Sequence, residues 1–473
     1  MGSQSQMQTK QSSPQQRRRR SRPNVGRAAT ARSAVRALAP LVLAATLLAG
    51  CSDSLPSLPK FNDLNPFADK PVILPGKRIS VIPEINASSD LASADRPIAI
   101  AAFSGNESWP QPGGTANNSP GHLALAANVK VAWTADAGTG SSKYGKLTAS
   151  PVVFGGKVFT LDAAGTVTAF AVSGGSQAWR VSLKPDNEKS AEKGYGGGLA
   201  LDGDKLFAAT GYGTIVALDP ATGKKIWDRN IGVPVRTSPT AAEGRVLAVT
   251  TEGELVCLSA DDGSETWRYR GLNEKASLIT NASPAVQNGL AVAPFTSGDV
   301  VAVNLATGQA AWTVSLSKSR GMSSMASLND AGRPVIDNNV VYAVGHAGSM
   351  TASSLRDGAK LWSLTVPGIQ QPVVSGDSVF VVDTTGRLLA ITRRDGKVQW
   401  NIKLTGSSVW SGPVLAGGKL WLTSAAGQLV NVDASTGKID GTQDLGQPIF
   451  VAPIVAGSRM FVITDKAKLI ALN

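Results

Sequence analysis

A glycine–glycine–tryptophan frame recurs along most of the chain and constrains its fold more than any other feature. In each copy a glycine opens an apolar strand, and a second glycine follows ten residues later in a polar turn. A tryptophan comes four residues after that, as at Gly213, Gly223 and Trp227. Seven copies occur, the seventh with Gly441 at the tryptophan position, and the six tryptophans are Trp179, Trp227, Trp267, Trp312, Trp362 and Trp400. Such a repeat of about 40–50 residues is typical of repeat architectures.

Each repeat contains the elements of one small antiparallel sheet. Upstream of the frame lies a proline-containing start such as Ser238-Pro239, then a Gly or Asn turn, then a strand such as Lys157-Val158-Phe159. Four short strands per repeat are typical of a β-propeller blade. The glycines supply the positive φ that tight hairpins need. We expect each tryptophan to fill the wedge between two blades, with its indole N–H bonded to a neighbouring carbonyl.

The two ends of the chain predict the number of blades and how the ring closes. The last repeat stops after the strand 469–472, before the strand that would carry its tryptophan. The missing strand occurs at the other end, at residues 129–134, and includes Trp133. An N-terminal strand that completes the C-terminal blade closes the ring without leaving an open edge. The sequence therefore predicts an all-β, eight-bladed β-propeller over residues 105–473.

Residues 1–50 have the features of an export signal. A positively charged stretch ends at Arg36, and the apolar stretch 38–50 follows. As a helix that stretch would cover about 20 Å, too little for a hydrocarbon core of about 30 Å, so a secretory signal peptide is the better interpretation. The first 50 residues contain nine cations and no acidic residue, which leaves +3 of the net charge of +12 for the rest. The charge therefore does not indicate nucleic-acid binding.

The apolar stretch ends at Leu48-Ala49-Gly50-Cys51, which resembles the lipobox of bacterial lipoproteins. The resemblance implies cleavage before Cys51 and lipidation of its thiol, and Ser52 in place of an aspartate implies sorting to the outer membrane. Residues 51–104 are rich in proline and polar residues and predict a flexible tether. We therefore expect a periplasm-facing protein with a lipid anchor in the outer membrane. The alternative is an ordinary cleavage site followed by a chance cysteine.

Few residues suggest catalytic or metal chemistry. Cys51 and Cys257 are the only cysteines, and Cys257 lies in an apolar run that predicts a small buried side chain. His122 and His346 are the only histidines, far apart in sequence, and we expect surface or turn roles for both. No metal-ligand spacing, P-loop or Ser-His-Asp set occurs. The sequence predicts no metal site, no cofactor and no enzymatic activity.

The segment Ala217 to Trp227 matches the tryptophan-docking motif of quinoprotein-type propellers, which are built from PQQ-like repeats. Combined with the lipobox, the proline-rich tether and the segment 109–114 (WPQPGG), it makes the chain resemble the BamB family. The resemblance covers residues 105–473 and the lipobox. It implies a non-catalytic scaffold lipoprotein of the outer-membrane β-barrel assembly (BAM) complex, a monomer within a hetero-complex. Such a protein would bind the POTRA domains of BamA and help it receive unfolded outer-membrane proteins.

The same resemblance implies a partner-binding site on two loops. In the loop 275–281, Leu278 matches a family leucine, and in the loop 327–334, Asp330 matches a family aspartate. Other family residues of these loops are not reproduced, so ordinary solvated blade connections are the alternative interpretation.

Two other classes of function stay open. A propeller fold does not specify its ligand, so the chain could bind peptidoglycan, a polysaccharide or another envelope partner. Sugar stacking would need exposed aromatic side chains at one mouth, and Trp109, Trp410 and Trp421 are the candidates. The remote alternative is a dehydrogenase that uses pyrroloquinoline quinone with calcium. By family pattern those enzymes carry long insertions and adjacent disulfide-bonded cysteines, which this sequence lacks.

Overall fold

The computed structural model describes residues 98–272, 282–317 and 330–473. Within these ranges 32 β-strands form eight four-stranded antiparallel sheets, with one short 3-10 helix at Ala191–Gly194. The eight sheets are the blades of a β-propeller, which confirms the predicted fold class. Cys51 and Leu278 lie outside the described residues, as do the predicted signal peptide and most of the tether.

Strand β1 (Val131–Asp136) belongs to the last blade, and the remaining strands follow in chain order. Blades 1 and 2 consist of β2 (Val152–Phe154), β3 (Lys157–Leu161), β4 (Thr166–Ala171), β5 (Gln177–Ser182) and β6 (Gly197–Asp202), β7 (Lys205–Thr210), β8 (Thr214–Leu218), β9 (Lys225–Asn230). Blades 3 and 4 consist of β10 (Thr240–Ala242), β11 (Arg245–Val249), β12 (Glu254–Ser259), β13 (Glu265–Arg270) and β14 (Ala285–Gln287), β15 (Leu290–Pro294), β16 (Asp299–Asn304), β17 (Ala310–Ser315).

The other four blades repeat the pattern. Blades 5 and 6 consist of β18 (Val335–Asp337), β19 (Val340–Val344), β20 (Ser349–Ser354), β21 (Lys360–Thr365) and β22 (Val373–Ser375), β23 (Ser378–Val382), β24 (Arg387–Thr392), β25 (Val398–Lys403). Blades 7 and 8 consist of β26 (Trp410–Ala416), β27 (Lys419–Ser424), β28 (Gln428–Asp433), β29 (Ile439–Asp444) and β30 (Ile454–Ala456), β31 (Arg459–Ile463), β32 (Lys468–Leu472), β1.

Burial differs between the strands of a blade. The second and third strands, such as β11 and β12, are buried along almost their whole length because neighbouring blades cover both faces, so they are continuous apolar runs. The fourth strand lies at the rim, and in β13 exposed residues alternate with half-buried ones. The core lies between blades, where Phe207 of blade 2 packs in the same cluster as Val246 and Val256 of blade 3.

The ring closes through the N-terminal strand, as the sequence predicts. Strand β1 pairs antiparallel with β32, with Thr134 opposite Ile470 and Asp136 opposite Lys468. Beyond the strand ends, Lys130 and Asn473 exchange two backbone hydrogen bonds of 3.0 Å. The fourth strand of blade 8 is therefore supplied by the other end of the chain.

Each tryptophan of the frame joins its own blade to the next. The indole N–H donates to a backbone carbonyl in the following blade, at distances of 2.8–3.3 Å. The pairs are Trp133–Val172, Trp179–Pro220, Trp227–Ala260, Trp267–Leu305, Trp312–Leu355, Trp362–Arg393 and Trp400–Ala434. These seven contacts give the tryptophans the wedge position expected from the repeat.

The second glycine of the frame receives the tryptophan of the preceding blade. A Cβ at Gly263 would lie 2.6 Å from the Trp227 ring, and one at Gly223 would lie 2.6 Å from the Trp179 ring. Gly263 also has a φ of +72°, which a side chain disfavours. The second glycine therefore has two roles. It forms the turn of its own blade, and it leaves room for the tryptophan ring of the preceding blade.

Candidate functional site

The two faces of the propeller carry different kinds of connection between strands. The connections from the outer strand of one blade to the inner strand of the next lie on one face, which we call the loop face. The turns with the docking glycines lie on the opposite face, which we call the turn face. The inner strands line the central channel, and their channel-facing edges carry backbone groups that no strand of their own blade can pair.

Residues 98–124, which we call the channel strap, occupy the channel. The channel strap starts at the turn face, where Ile98 N donates to Ser435 O (3.1 Å) and Ala101 N donates to Ser375 Oγ (3.2 Å). These contacts hold residues 98–104, which the sequence analysis assigned to the tether, against blades 6 and 7.

The channel strap then follows the inner strands around the channel. Trp109 exchanges two backbone hydrogen bonds with Val153 of blade 1, at 2.8 and 2.9 Å. The Gln111 amide donates to Leu201 O (2.8 Å) and Ala241 O (2.7 Å) and accepts from Ala241 N (3.2 Å). The buried Gln111 side chain thus pairs backbone groups at the channel-facing edges of blades 2 and 3.

The same pattern continues in the other blades. Asn117 O accepts from Ile336 N (2.9 Å) while its Nδ2 donates to Ile336 O (3.0 Å). The remaining contacts are Ala116 O with Val286 N, Leu123 N with Leu415 O, and Asn106 Nδ2 with Val455 O. With Ser375 of blade 6, the channel strap bonds to the inner strand of every blade, which pairs edges that would otherwise stay open.

His122 belongs to this arrangement, so the predicted surface role is wrong. The imidazole is 6% exposed, its Nδ1 lies 2.7 Å from Ala101 O, and Gly418 N donates to its Nε2 at 2.8 Å. Because Nε2 accepts, Nδ1 carries the proton and donates to the carbonyl. The ring ties the start of the channel strap to blade 7. His346 lies in the turn before β20, as predicted.

A cavity of about 130 Å³ lies on the loop-face side of the channel strap. Its lining includes Trp109, Pro112, Arg333, Gln371, Pro413 and Phe450. Arg333 Nη1 donates to Pro112 O (3.1 Å) and to Gln371 Oε1 (2.9 Å). Burial lowers the pKa of Arg333 to about 10, so its guanidinium stays charged at neutral pH.

The three tryptophans outside the frame are buried rather than exposed. Trp109, Trp410 and Trp421 are 2–4% exposed, and the last two donate to Ser407 O and Ala416 O. They therefore offer no stacking surface for a sugar at the mouth of the channel. Cys257 is fully buried as predicted, and its burial raises the pKa of the thiol to about 12.

Of the two predicted partner-binding residues, the structure describes only Asp330. Asp330 is 2% exposed, and its carbonyl accepts from His346 N at 3.0 Å. In this conformation its side chain is not presented to a partner, which disfavours a direct contact by Asp330 itself. The sequence around Asp330 does not reveal this burial, because Asp330 packs beside residues from another part of blade 5, such as His346.

The loop face carries exposed apolar side chains that sequence reasoning missed. Tyr144, Leu272, Val409 and Phe450 are 44–62% exposed, and each lies in a connection between two blades. Leu272 lies just before the loop that contains Leu278. In the sequence, the only indication of this exposed apolar surface is that several connections between blades contain a large apolar residue. These residues recur at no fixed spacing, so the sequence does not distinguish them from the apolar residues of the core.

An ion cluster fixes the base of that loop. Glu254 is buried at the start of β12 and accepts from Arg268 (2.6 Å) and Arg270 (2.7 Å), both in β13. The hydrogen bond from Arg270, with that from Arg268, lowers the pKa of Glu254. Gly271, which follows β13, donates to Gly253 O at 2.9 Å. The described residues just before the loop are therefore held by two ion pairs and a backbone hydrogen bond.

Among the described residues no three His, Cys, Asp or Glu side chains are grouped so that they could hold a metal ion. Over the same residues, no helix has the length and apolar character needed to cross a bilayer.

Comparison with known proteins gives the same architecture. A BamB from Moraxella catarrhalis superimposes with a TM-score of 0.64 at 18% identity, covering 73% of this chain and 100% of that one. A europium-containing methanol dehydrogenase gives 0.63 at 15% identity, covering 75% of this chain and 89% of that one. At these identities the similarity shows a shared fold.

Sequence comparison identifies the family. Outer membrane protein assembly factor BamB of Burkholderia pseudomallei is 28% identical over 191 residues, 40% of this chain and 47% of that protein. The protein of the same name from Shewanella oneidensis is 30% identical over 197 residues, 40% and 49% of the two chains. The matches thus span about half the length of these relatives. The family model described as outer membrane protein assembly factor BamB matches residues 163–402 and 403–473. The chain therefore belongs to the BamB family.

Proposed function

We propose that this protein is a non-catalytic scaffold in the assembly of outer-membrane proteins. A lipid on Cys51 would anchor it to the periplasmic face of the outer membrane, within the BAM complex. The propeller would bind the POTRA domains of BamA and help insert β-barrel proteins, whose unfolded chains could contact it. Family membership and the protein names of its relatives support this role.

The filled channel is the observation that favours a scaffold over an enzyme. Dehydrogenases with the same fold are known among solved structures, so the channel could in principle hold a cofactor. Here the channel strap occupies it, and the cavity of about 130 Å³ is below the roughly 300–1,000 Å³ of ligand and cofactor pockets. The residues present do not fit a multi-ring quinone, and we derive no reaction through one.

The loop face is the surface we propose for the partner. This face exposes four large apolar side chains that provide apolar contact area: Tyr144, Leu272, Val409 and Phe450. Apolar residues that are exposed one at a time on other surfaces are common in soluble proteins and do not indicate a binding site. The cluster of Glu254, Arg268 and Arg270 holds the base of the loop with Leu278 in place. Contacts that fix the residues before a binding loop reduce the ordering cost of binding. Leu278 stays a proposed contact, and Leu272 is added to it.

Affinity purification from mildly solubilised envelopes tests the role. We expect the tagged full-length chain to recover BamA and its companion lipoproteins at near-stoichiometric levels. Leu272→Asp should reduce this recovery, because a charge would be buried in the apolar contact. Leu361→Asp in β21 on the rim of blade 5, a leucine with the same exposed fraction of 56%, is the matched control and should leave recovery unchanged.

Two outcomes would contradict parts of the proposal. Recovery of cell-wall material or an unrelated complex without BamA would exclude the assembly role. Recovery of BamA that Leu272→Asp does not change would exclude this part of the loop face. Cys51→Ala tests the anchor separately: we expect the protein to leave the membrane fraction, and a variant that stays there would contradict lipidation.

A further inference from the structure

Charged residues of the connections on the loop face are concentrated on one side of the ring. Six connections between blades lie wholly in the described residues. Three of them follow one another around the ring and join blades 8, 1, 2 and 3: 137–151, 183–196 and 231–239. The other three join blades 5 to 8 and contain no charged residue: 366–372, 404–409 and 445–453. We call the first three connections the charged sector of the loop face.

The charged sector has an excess of positive charge. Its first and third connections contain three cations and no acidic residue: Lys143, Lys146 and Arg236. In the second connection, three lysines are balanced by three acidic residues. The turns of the same blades that adjoin this sector add one exposed acidic residue, Glu252, which does not cancel the three cations. Such a surface favours a partner that presents carboxylates.

Arg236 is held in place by its neighbours. Its guanidinium stacks on the Tyr195 ring, with Cζ 4.1 Å from the ring centroid. A Cβ at Gly196 would lie 2.9 Å from the Arg236 Cβ and 3.0 Å from its Cγ, so a side chain there would displace the stem of Arg236. Arg236 is half-buried as a whole, and its Nε is fully buried. The terminal Nη groups are therefore the part that a partner can reach.

The Arg236 guanidinium has no carboxylate partner within the described part of the chain. No ion pair or hydrogen bond joins it to an acidic side chain among those residues, and its contact there is with Tyr195. The planar guanidinium matches the two oxygens of a carboxylate. Because the Tyr195 ring already orders the side chain, pairing with a carboxylate would cost little further conformational entropy. Arginine and tyrosine are also enriched among the residues that dominate protein–protein binding energies.

Aromatic side chains connect the two cationic connections. A Cβ at Gly145 would lie 3.0 Å from the Tyr195 Cβ and 3.4 Å from its Cγ, so the connections 137–151 and 183–196 are in contact here. Tyr144, which precedes Gly145, is 62% exposed, and Lys143 Nζ lies 5.4 Å from its ring centroid. One surface thus extends across all three connections. We call it the cation–aromatic patch, and it consists of Lys143, Tyr144, Tyr195 and Arg236.

We propose that the cation–aromatic patch binds an acidic surface of the partner protein, with an Asp or Glu carboxylate of that partner paired with Arg236. This inference rests on the proposed function, since the partner is the BamA that the loop face is proposed to bind. It adds the chemistry of the contact. Carboxylates of the partner lie at blades 1 to 3, and its apolar side chains lie on the uncharged side with Val409 and Phe450.

Binding of full-length BamA in detergent to the immobilised full-length protein tests the charged contact. Arg236→Gln removes the charge and should weaken binding about tenfold. Arg245→Gln is the matched control and should leave the affinity unchanged, because Arg245 is also half-buried but begins β11 at the turn face. Added salt should weaken binding of the unmodified protein more than binding of Arg236→Gln, since salt screens exposed charges.

A second measurement needs no variant. A carbodiimide condenses a lysine amine with a carboxylate that touches it, and so records which lysines of the complex face acidic residues. We expect Lys143 or Lys146 to be cross-linked to Asp or Glu of BamA. Lys224, exposed in a turn at the turn face, is the control and should not be cross-linked to BamA.

The outcomes distinguish the two proposals. Absence of binding between BamA and the unmodified protein would overturn the proposed function and this inference with it. Binding that Arg236→Gln leaves unchanged would overturn the cation–aromatic patch alone. A complex in which neither Lys143 nor Lys146 is cross-linked to BamA would do the same, and this result decides the question even where Arg236→Gln does not fold.

Discussion

Seven junctions between blades are joined by a docked tryptophan, and the junction between blades 7 and 8 is not. At each of the seven, a ring from one blade covers a glycine turn of the next and donates to a carbonyl there. At the eighth, Gly441 stands where a tryptophan would be. The turn that would receive the ring does not exist, because the third and fourth strands of blade 8 come from opposite ends of the chain. Docking thus depends on the receiving turn as much as on the tryptophan.

The eighth junction is held by other contacts. The channel strap binds blade 7 through Leu123 and blade 8 through Asn106, and Ile449 N, in the connection to blade 8, donates to Ser424 O of blade 7 at 3.1 Å. The comparison therefore separates two ways of joining blades: tryptophan docking at the turn face, and hydrogen bonds made by the channel strap and by the connection between the blades.

The largest effect is expected where a side chain is forced into a docked junction. Gly263→Ala would place its Cβ 2.6 Å from the Trp227 ring, and Gly289→Ala, with the same φ of +72°, meets nothing within 4 Å. We expect Gly263→Ala to lower the free energy of unfolding by about 3 kcal/mol, from overpacking and backbone strain together. Gly289→Ala should cost about 1 kcal/mol, from strain alone. Urea denaturation of both variants checks this, and equal losses would show that the ring contact has no role.

A smaller effect should distinguish the junction without a tryptophan. Asn106→Ala removes the hydrogen bond to Val455 O of blade 8, and Asn117→Ala removes the one to Ile336 O of blade 5. Each should lower the free energy of unfolding by about 1–2 kcal/mol. Because blade 8 lacks a docked ring from blade 7, Asn106→Ala should also increase amide hydrogen exchange in β30, whereas Asn117→Ala should leave β18 protected. Equal exchange in both strands would contradict the reliance of blade 8 on the channel strap.

Low pH should reduce the free energy of unfolding by protonating buried carboxylates such as Glu254. The contacts that join the blades at the two kinds of junction should be affected less. Hydrogen bonds from Arg270 and Arg268 lower the pKa of the buried Glu254 below its usual 4.5. A carboxylate whose pKa is lower in the folded than in the unfolded state stabilises the folded protein at pH values above its unfolded pKa. This contribution to the free energy of unfolding is lost as the pH falls through the folded pKa. Glu254→Gln should therefore cost about 1–2 kcal/mol at pH 7, and this difference should shrink as the pH falls below 4.5. Melting temperatures of both proteins across this range check it, and a constant difference would contradict it.

The smallest effect is expected from supplying the missing tryptophan. Gly441→Trp adds a ring at the eighth junction, but blade 8 has no glycine turn to receive it. We expect the free energy of unfolding to change by less than about 1 kcal/mol, as for a substitution at a partly exposed site. A gain well above this, measured by urea denaturation, would show that docking does not require the turn.

Sequence alone predicts the blades but only part of the candidate site. The repeat shows which strands and turns belong to one blade, and the unfinished last copy predicts the closing strand. The burial of Asp330 and of His122 could not be predicted, since their partners lie in other segments, such as Gly418 for His122. The segment 109–114 resembles a family motif, but its course through the channel depends on contacts with blades 1 and 2, such as those of Trp109 with Val153 and Gln111 with Leu201, which the sequence does not reveal.

The sequence by itself determined the fold because the relevant information is local and repeated: glycine, glycine and tryptophan at constant spacing specify each blade and its neighbour. Only the tertiary structure decided what fills the channel. The channel strap is a single segment whose partners come from all eight blades, as far as 349 residues away for Asn106 and Val455. Contacts of that kind leave no period in the sequence. They depend on where the closed ring places the open edges of its inner strands, which exist only once the blades have assembled.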